Sequence, residues 1–252
     1  MFLQTPPPTR YDLRFSIAGI PVRVHPLFWV LAVLLGSSSS GILQLLVWVL
    51  VVFISIIVHE LGHAFAMRRY GQSSQIVLHM MGGLTTPDQY TWGSGFASIA
   101  LTPNQEIIIS LAGPVSGFLL AGLASASVLA LGGSIGMGTL LGFIPLPAMV
   151  ALPFGGSILN SFVINLLWVN IFWGVFNLVP VYPLDGGNVT RYFLLKADPW
   201  DGIRKSLWIS VISGAAAALA GFFVFGSIYM AFLFAMLAFQ SYQLLQGSAG
   251  RF

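Results

Sequence analysis

Long apolar stretches with very few charged residues dominate the hydrophobic pattern of this chain. Five of them reach the length of about 17–25 predominantly apolar residues that a membrane-spanning helix needs. They are residues 41–67, 102–131, 158–176, 207–225 and 227–245. A sixth stretch, residues 26–36, is short unless its helix continues through the four serines that follow. The pattern predicts an all-α polytopic membrane protein with about six transmembrane helices.

Shorter segments between these stretches alternate apolar and polar residues, which is typical of β-strands. Residues 13–25 predict a hairpin at the membrane surface, around Gly19-Ile20-Pro21. Residues 71–87 predict a second hairpin that dips back toward the helices and turns at Gly82-Gly83. Residues 132–156 are rich in Gly and Pro and predict a loop. The charged stretch at residues 191–205 predicts a solvated cytoplasmic loop.

Composition supports the membrane class. The chain is 57% hydrophobic and only 7% charged, whereas soluble domains carry about 25% charged residues. We predict one domain over residues 1–252, with an N-terminal arm and interfacial hairpin in 1–25 and a transmembrane core in 26–247. The chain has no cysteine, which excludes disulfides and thiolate metal ligands. Its polar start does not resemble a cleavable signal peptide.

The basic residues indicate how the helices are oriented. With six helices, every Lys and Arg falls on the side that holds both termini, and the opposite loops carry none. These residues are Arg10, Arg14, Arg23, Arg68, Arg69, Arg191, Lys196, Arg204, Lys205 and Arg251. Because basic residues are enriched on the cytoplasmic side, we predict cytoplasmic termini and a location in the cell (inner) membrane.

One apolar stretch carries an H-E-x-x-H motif formed by His59, Glu60 and His63. On a helix, residues i and i+4 share a face, so both imidazoles can bind one zinc ion while Glu60 acts as general base. A charge deep in a transmembrane helix costs at least about 2.5–3.5 kcal/mol, which favours a functional role. Counting about 1.5 Å per residue back from Arg68 puts His59 about 14 Å into the membrane. The sequence predicts a zinc hydrolase site inside the membrane, near its cytoplasmic face.

A catalytic zinc usually has a third protein ligand, and the chain offers few candidates. Asp185 is the strongest, because it follows an apolar stretch in a segment where Pro180 and Pro183 exclude regular helix. Gly186-Gly187 would then allow a tight turn that presents the carboxylate. Glu106 is a rival ligand, although the helix dipole also explains a carboxylate in the first turn of a helix.

The two motifs together resemble those of the site-2 protease family of intramembrane zinc metalloproteases, whose pattern is H-E-x-x-H followed by N-x-x-P-x-x-P-L-D-G. The sequence matches the second part at Asn177, Pro180, Pro183, Leu184, Asp185 and Gly186. Softer similarities at residues 19–25, 78–83 and 112–114 extend the resemblance over most of the chain. Gly117 departs from it, since relatives often carry Asn there. No stretch is long enough for a PDZ or CBS domain, so the chain resembles a minimal family core.

The resemblance implies an intramembrane zinc endopeptidase that cuts transmembrane segments of other membrane proteins. It implies one catalytic Zn²⁺ held by His59, His63 and Asp185, with Glu60 as the base. Asn177 is a candidate for hydrogen bonding to the substrate backbone. We further expect an extended substrate segment to pair with the strand at residues 75–81 by strand addition. The implied partners are a membrane-protein substrate and the lipid bilayer.

Two alternatives use the same three metal-ligating side chains. One is a metal transporter, and the other is a catalytically inactive metal-binding membrane protein. A transporter is expected to have several polar sites along a path and often an internal repeat, whereas this sequence has one compact site and no repeat. His25 and His79 are interpreted as interfacial histidines, with ligation as the alternative.

Overall fold

The helices and strands were located in a computed structural model that describes residues 6–37, 39, 41–87, 100–140 and 144–249. In chain order they are β1 (Leu13–Ile17), β2 (Ile20–Val24), α1 (Pro26–Leu35), α2 (Ile42–Arg69), β3 (Ser74–His79), β4 (Gly82–Pro87), α3 (Pro103–Ala130), β5 (Ser134–Leu140), β6 (Ile144–Ala151), α4 (Gly156–Asn177), α5 (Asp185–Ala197), α6 (Gly202–Phe223) and α7 (Ile228–Ala249). The predicted class, mostly helical with small sheets, is confirmed.

Within the part of the chain that the structure describes, five helices are long and apolar enough to cross a membrane, namely α2, α3, α4, α6 and α7. They make the chain an integral membrane protein. α1, predicted as a sixth span, is an apolar helix of 10 residues. At about 1.5 Å per residue it is about 15 Å long, half the thickness of the hydrocarbon core. The predicted count of six spans is therefore approximate.

The described residues form two compact units. The first comprises Met1–Ile99 and Val115–Gly174, and the second comprises Ala100–Pro114 and Val175–Phe252. One division falls inside α3 at Pro114, where proline removes a helical hydrogen bond. The single domain over residues 1–252 stays a prediction.

The first unit contains one four-stranded sheet in the order β1-β2-β3-β4. The two predicted hairpins are its halves, because β2 pairs in parallel with β3 through Val22 opposite Ile76 and Val24 opposite Leu78. The positive φ angles of Ala18 and Gly19, 51° and 80°, suit the two-residue turn of β1 and β2. The second hairpin turns before Gly82, because β4 begins there, so the predicted turn at Gly82-Gly83 was wrong.

The sheet packs against the first two helices. Val22, Val24, Ile76 and Leu78 are buried in one core cluster that also contains Phe28 from α1 and Ile56 and Ile57 from α2. The cluster fixes the second hairpin beside the middle of α2, the helix that carries the H-E-x-x-H motif.

A salt bridge ties the N-terminal arm to this sheet. Arg23 Nη1 donates to Asp12 Oδ2 over 3.0 Å, and the Thr9 hydroxyl donates to Asp12 Oδ1 over 2.6 Å. Burial by itself raises the pKa of Asp12, but the hydrogen bonds from Thr9 and Arg23 outweigh it and lower the pKa to about 2. The arm is therefore held to the hairpin by an ionised carboxylate.

Two segments predicted as loops are regular structure. Within residues 132–156, β5 and β6 form an antiparallel hairpin with a bulge at Gly136/Met137. Pro145 and Pro147 made this segment resemble a loop in the sequence. Proline is nevertheless tolerated in edge strands, and both strands of a two-stranded sheet are edge strands. The charged residues 191–205 lie mostly in α5 and α6. Their charged side chains occupy exposed or half-buried positions of these helices, so helix and solvation are compatible.

Small residues allow close helix packing in the second unit. A Cβ on Gly214 of α6 would lie 2.9 Å from the Cβ of Ala238 on α7, so glycine lets the two helices approach closely. Val181, from the segment between α4 and α5, is fully buried beside Phe234 and Leu237 of α7. That segment is thereby anchored to the helix pair.

Candidate active site

The two histidines of the motif have the geometry of a shared metal site. His59 and His63 lie one turn apart on α2, both are buried, and their Nε2 atoms are 3.2 Å apart. Two nitrogens bound to one tetrahedral zinc at about 2.0–2.1 Å would lie about 3.3 Å apart. The observed spacing and the donor chemistry therefore fit a zinc ion.

Glu60 points from the same helix toward β4. Its side chain is buried, with the residue 5% exposed. The Thr85 hydroxyl lies 2.7 Å from Glu60 Oε2, to which it donates, and 3.1 Å from the Glu60 carbonyl oxygen. A Cβ on Gly83 would overlap Glu60 Oε1, so a larger residue here would displace the carboxylate from its position against this strand.

Sequence reasoning missed Thr85 and the contact of Gly83 with Glu60. The available signal was the Gly82-Gly83 pair inside an alternating segment, since an isolated glycine in a strand often marks a close backbone approach. The sequence analysis interpreted that pair as a turn instead.

Two hydrogen bonds hold α2 beside the histidines. Ser116 Oγ of α3 donates to the Val58 carbonyl over 2.9 Å. Asn170 Nδ2 of α4 donates to Ser55 Oγ over 2.9 Å and to the Leu166 carbonyl over 2.8 Å. Because leaving a buried polar partner unsatisfied costs about 1–3 kcal/mol, these bonds fix the helix immediately before His59.

His25 and His79 have local structural roles. Each histidine follows one of the paired residues Val24 and Leu78 on adjacent strands. Both histidine side chains are buried. His25 Nδ1 accepts from the Leu27 N–H and caps α1, and His79 Nδ1 accepts from the Met81 N–H, each over 3.2 Å. Burial lowers the pKa of His79, and the nearby His25 and Arg23 lower it further. Both rings therefore use Nδ1 as a hydrogen-bond acceptor that orders the chain at the ends of these strands.

Asp185 is the first residue of α5 and is half-buried. The partial positive charge of a helix N-terminus favours an ionised carboxylate there, which is the form that binds a metal. Asp185, like each of the two motif histidines, offers one ligand atom of a kind that zinc accepts.

The predicted tight turn after Asp185 was wrong. Gly186 and Gly187 are buried within α5. A Cβ on Gly186 would overlap the Leu178 carbonyl, and one on Gly187 would overlap the Tyr182 N. These glycines are needed because the helix passes directly against the preceding segment.

The segment between α4 and α5 is held by two helices of its own unit. The Tyr182 N–H donates to Ser210 Oγ of α6 over 3.0 Å, and Ser241 Oγ of α7 donates to the Tyr182 carbonyl over 3.4 Å. Asn177, the last residue of α4, is half-buried at the start of this segment. The serines escaped sequence reasoning because single small polar residues are common in transmembrane helices.

Glu106 has a structural explanation in the first turn of α3. Its carboxylate is hydrogen-bonded to the Tyr192 side chain. A capping box opens this helix, since the Thr102 N–H donates to Gln105 Oε1 over 2.8 Å and the Gln105 N–H donates to Thr102 Oγ1 over 3.4 Å. Glu106 thus has the position expected of a carboxylate that interacts favourably with the N-terminal end of a helix dipole.

Comparison with known proteins gives consistent results. Residues 47–220 match the profile of Peptidase family M50. A zinc metalloprotease of Methanocaldococcus jannaschii is 27% identical over 216 residues, which cover 83% of this chain and 52% of that protein. The solved structure titled site-2 protease from the same organism has a TM-score of 0.54 and 24% identity, over 93% of this chain and 95% of that one.

The chain spans about half the length of the curated relatives it matches. The structural likeness supports the fold, and the profile match covers well over half of the chain. The chain therefore belongs to Peptidase family M50, the site-2 protease family of zinc metalloproteases.

Proposed function

We propose that this chain is an intramembrane zinc endopeptidase that hydrolyses peptide bonds within or near transmembrane segments of other membrane proteins, as in regulated intramembrane proteolysis. The observation that carries the proposal is the pair of imidazole nitrogens 3.2 Å apart with a buried carboxylate beside them. All three side chains lie on α2, a helix apolar enough to cross a membrane. A transmembrane substrate would meet the site without leaving the bilayer.

In this proposal His59, His63 and Asp185 hold one zinc ion, and Glu60 is the general base. A zinc ion bound there supplies a Lewis acid that lowers the pKa of water to about 7 and polarises the peptide carbonyl. Glu60 accepts a proton from the attacking water and passes it to the leaving amine. The Thr85 hydroxyl, 2.7 Å from Glu60 Oε2, keeps the carboxylate in one orientation during both transfers.

Strand addition is proposed at a different strand from the one expected. β3 cannot accept a substrate strand at residues 75–81, because β2 pairs with it on one side and β4 on the other. Among the described strands β4 is an edge of the sheet, and it carries Thr85 and Gly83. An extended substrate segment paired with β4 would lie beside Glu60, and Asn177 is proposed to hydrogen-bond the substrate backbone.

The charge distribution supports a location in the cell (inner) membrane with both termini in the cytoplasm. Arg68 and Arg69 end α2, and Arg68 Nη1 donates to the Ala18 carbonyl over 2.8 Å. With that end of α2 in the cytoplasm, the proposed site would lie nearer the cytoplasmic face, about 8–14 Å from the end of the helix.

The proposal is tested by Glu60→Gln in purified protein reconstituted into liposomes with a single-span substrate. We expect the variant to keep about one zinc per chain and to lose turnover by about 10²–10⁴-fold, the usual contribution of general acid–base catalysis. Unchanged cleavage by the variant contradicts the role of Glu60. Zinc-loaded wild type that cuts no membrane substrate, and instead moves zinc across the bilayer, supports the transporter alternative.

A further inference from the structure

An apolar cavity of about 60 Å³ lies in the first unit. Residues of α1, α2, α4 and β4 line it, and all of them are apolar, among them Ala32, Val52, Ile56, Gly82 and Val169. Apolar cavities of this kind stay dry and bind apolar groups.

The cavity begins next to the proposed base. Ile56 lies one turn before Glu60 on α2, and residues four apart share a helix face. Gly82 directly precedes Gly83, the residue that touches the Glu60 carboxylate. From there the cavity follows α2 toward Val52, away from the arginines at the end of that helix. It therefore extends from the turn of α2 that precedes Glu60 deeper into the apolar part of the first unit.

Its size selects a class of occupant. At roughly 10–15 Å³ for each water-sized sphere, the cavity has room for about four to six heavy atoms. The side chains of Leu, Ile, Val and Met fit this space, whereas those of Phe and Trp exceed it. Gly82 contributes to the space, because a Cβ built on it would meet no atom within 4 Å.

We propose that this cavity binds one aliphatic side chain of the substrate near the scissile bond, and so sets a preference for Leu, Ile, Val or Met at that position. The inference rests on the proposed function, since its occupant is the protease substrate. We assign the occupant to the substrate rather than to a lipid chain because of where the cavity lies. It adjoins the turn of α2 before Glu60 and also β4, the strand proposed to receive the substrate backbone.

The experiment has a binding arm that does not depend on turnover. Zinc-loaded Glu60→Gln protein in phosphatidylcholine liposomes is mixed with a single-span substrate carrying photo-leucine at each position of its transmembrane segment in turn. Cross-links are mapped by mass spectrometry. We expect one substrate position to cross-link to the residues lining the cavity. Adding Ala32→Leu, which fills the cavity, should abolish that cross-link.

Val33→Leu is the matched control, because Val33 is 44% exposed and does not line the cavity, so the cross-link should remain intact. If Ala32→Leu loses its zinc or fails to fold, Val169→Leu replaces it as a smaller filling substitution. Cross-links that survive filling, or that map elsewhere, overturn the inference. A photoactivatable phospholipid chain that labels the cavity and is not displaced by substrate also overturns it.

The turnover arm uses otherwise wild-type protein. Replacing the substrate's aliphatic residue at the cross-linked position by Ala should lower kcat/KM about tenfold or more, and Ala32→Leu should remove that preference. If Ala32→Leu keeps its zinc but lowers kcat/KM equally for the aliphatic substrate and its Ala version, the cavity has no role in specificity. Capture in the cavity without any cleavage by wild type would leave the binding site standing and refute the endopeptidase proposal.

Discussion

At the scale of single residues, Glu60 is a carboxylate that α2 has to bury among apolar side chains. A charge at membrane depth costs at least about 2.5–3.5 kcal/mol, so its hydrogen-bond partner matters. The Thr85 hydroxyl is that partner, at 2.7 Å from Oε2. Glu60 is the proposed base, and Thr85 is therefore a positioning residue for it.

Thr85→Val removes this hydroxyl while keeping the shape of the side chain. Since a hydrogen bond to a charged group contributes about 1.5–3 kcal/mol, we expect kcat to fall by about 10–100-fold with little change in KM. Thr85→Ser, which keeps the hydroxyl, should restore most of the rate. Steady-state kinetics with zinc analysis checks this, and an equal loss in both variants would argue against a positioning role.

The sequence pattern indicated the proposed site residues but not the residues that support them. His59, Glu60 and His63 follow from a spacing that a helix turns into one face, and Asp185 follows from a helix-breaking segment after an apolar stretch. Thr85, Ser210 and Ser241 act through contacts between residues far apart in the chain, and no local pattern encodes such contacts.

At the scale of elements, α5 starts directly against the segment that precedes it. Its first turn contains Asp185 and the two buried glycines. The proline pattern correctly indicated that α4 cannot continue through residues 180–183. It could not show that a helix begins again at Asp185, because two adjacent glycines favour a turn on propensity alone.

Gly186→Ala tests this contact, since the added Cβ would overlap the Leu178 carbonyl. We expect a loss of about 1–3 kcal/mol or more, as in other overpacked sites, together with weaker zinc binding. Zinc release during thermal unfolding measures both effects. Gly122→Ala is the control, because its Cβ would meet no atom within 4 Å. Equal stability of the two variants would contradict the close approach.

The strands show a similar limit of sequence reasoning. Alternation indicated both hairpins of the four-stranded sheet, but the parallel pairing of β2 with β3 joins residues more than fifty positions apart. The hairpin of β5 and β6 was missed because its prolines and glycines resemble loop composition. Edge strands tolerate such residues, whereas central strands do not.

At the scale of the whole molecule, the proposed orientation can be tested with unusual clarity because the chain has no native cysteine. Single cysteines at Ser37 and Ser157 should react with a membrane-impermeant maleimide added outside intact cells. Cysteines at Lys196 and Trp200 should react only after permeabilisation. The opposite pattern would overturn the cytoplasmic assignment.

The proposed catalytic zinc is held by three side chains, those of His59, His63 and Asp185. Zinc per chain and cleavage of a single-span substrate should therefore be measured together in wild type, Asp185→Ala and Glu106→Ala. We expect about one zinc and cleavage in wild type and in Glu106→Ala, with both lost in Asp185→Ala. Loss of zinc in Glu106→Ala with retention in Asp185→Ala would contradict this ligand set.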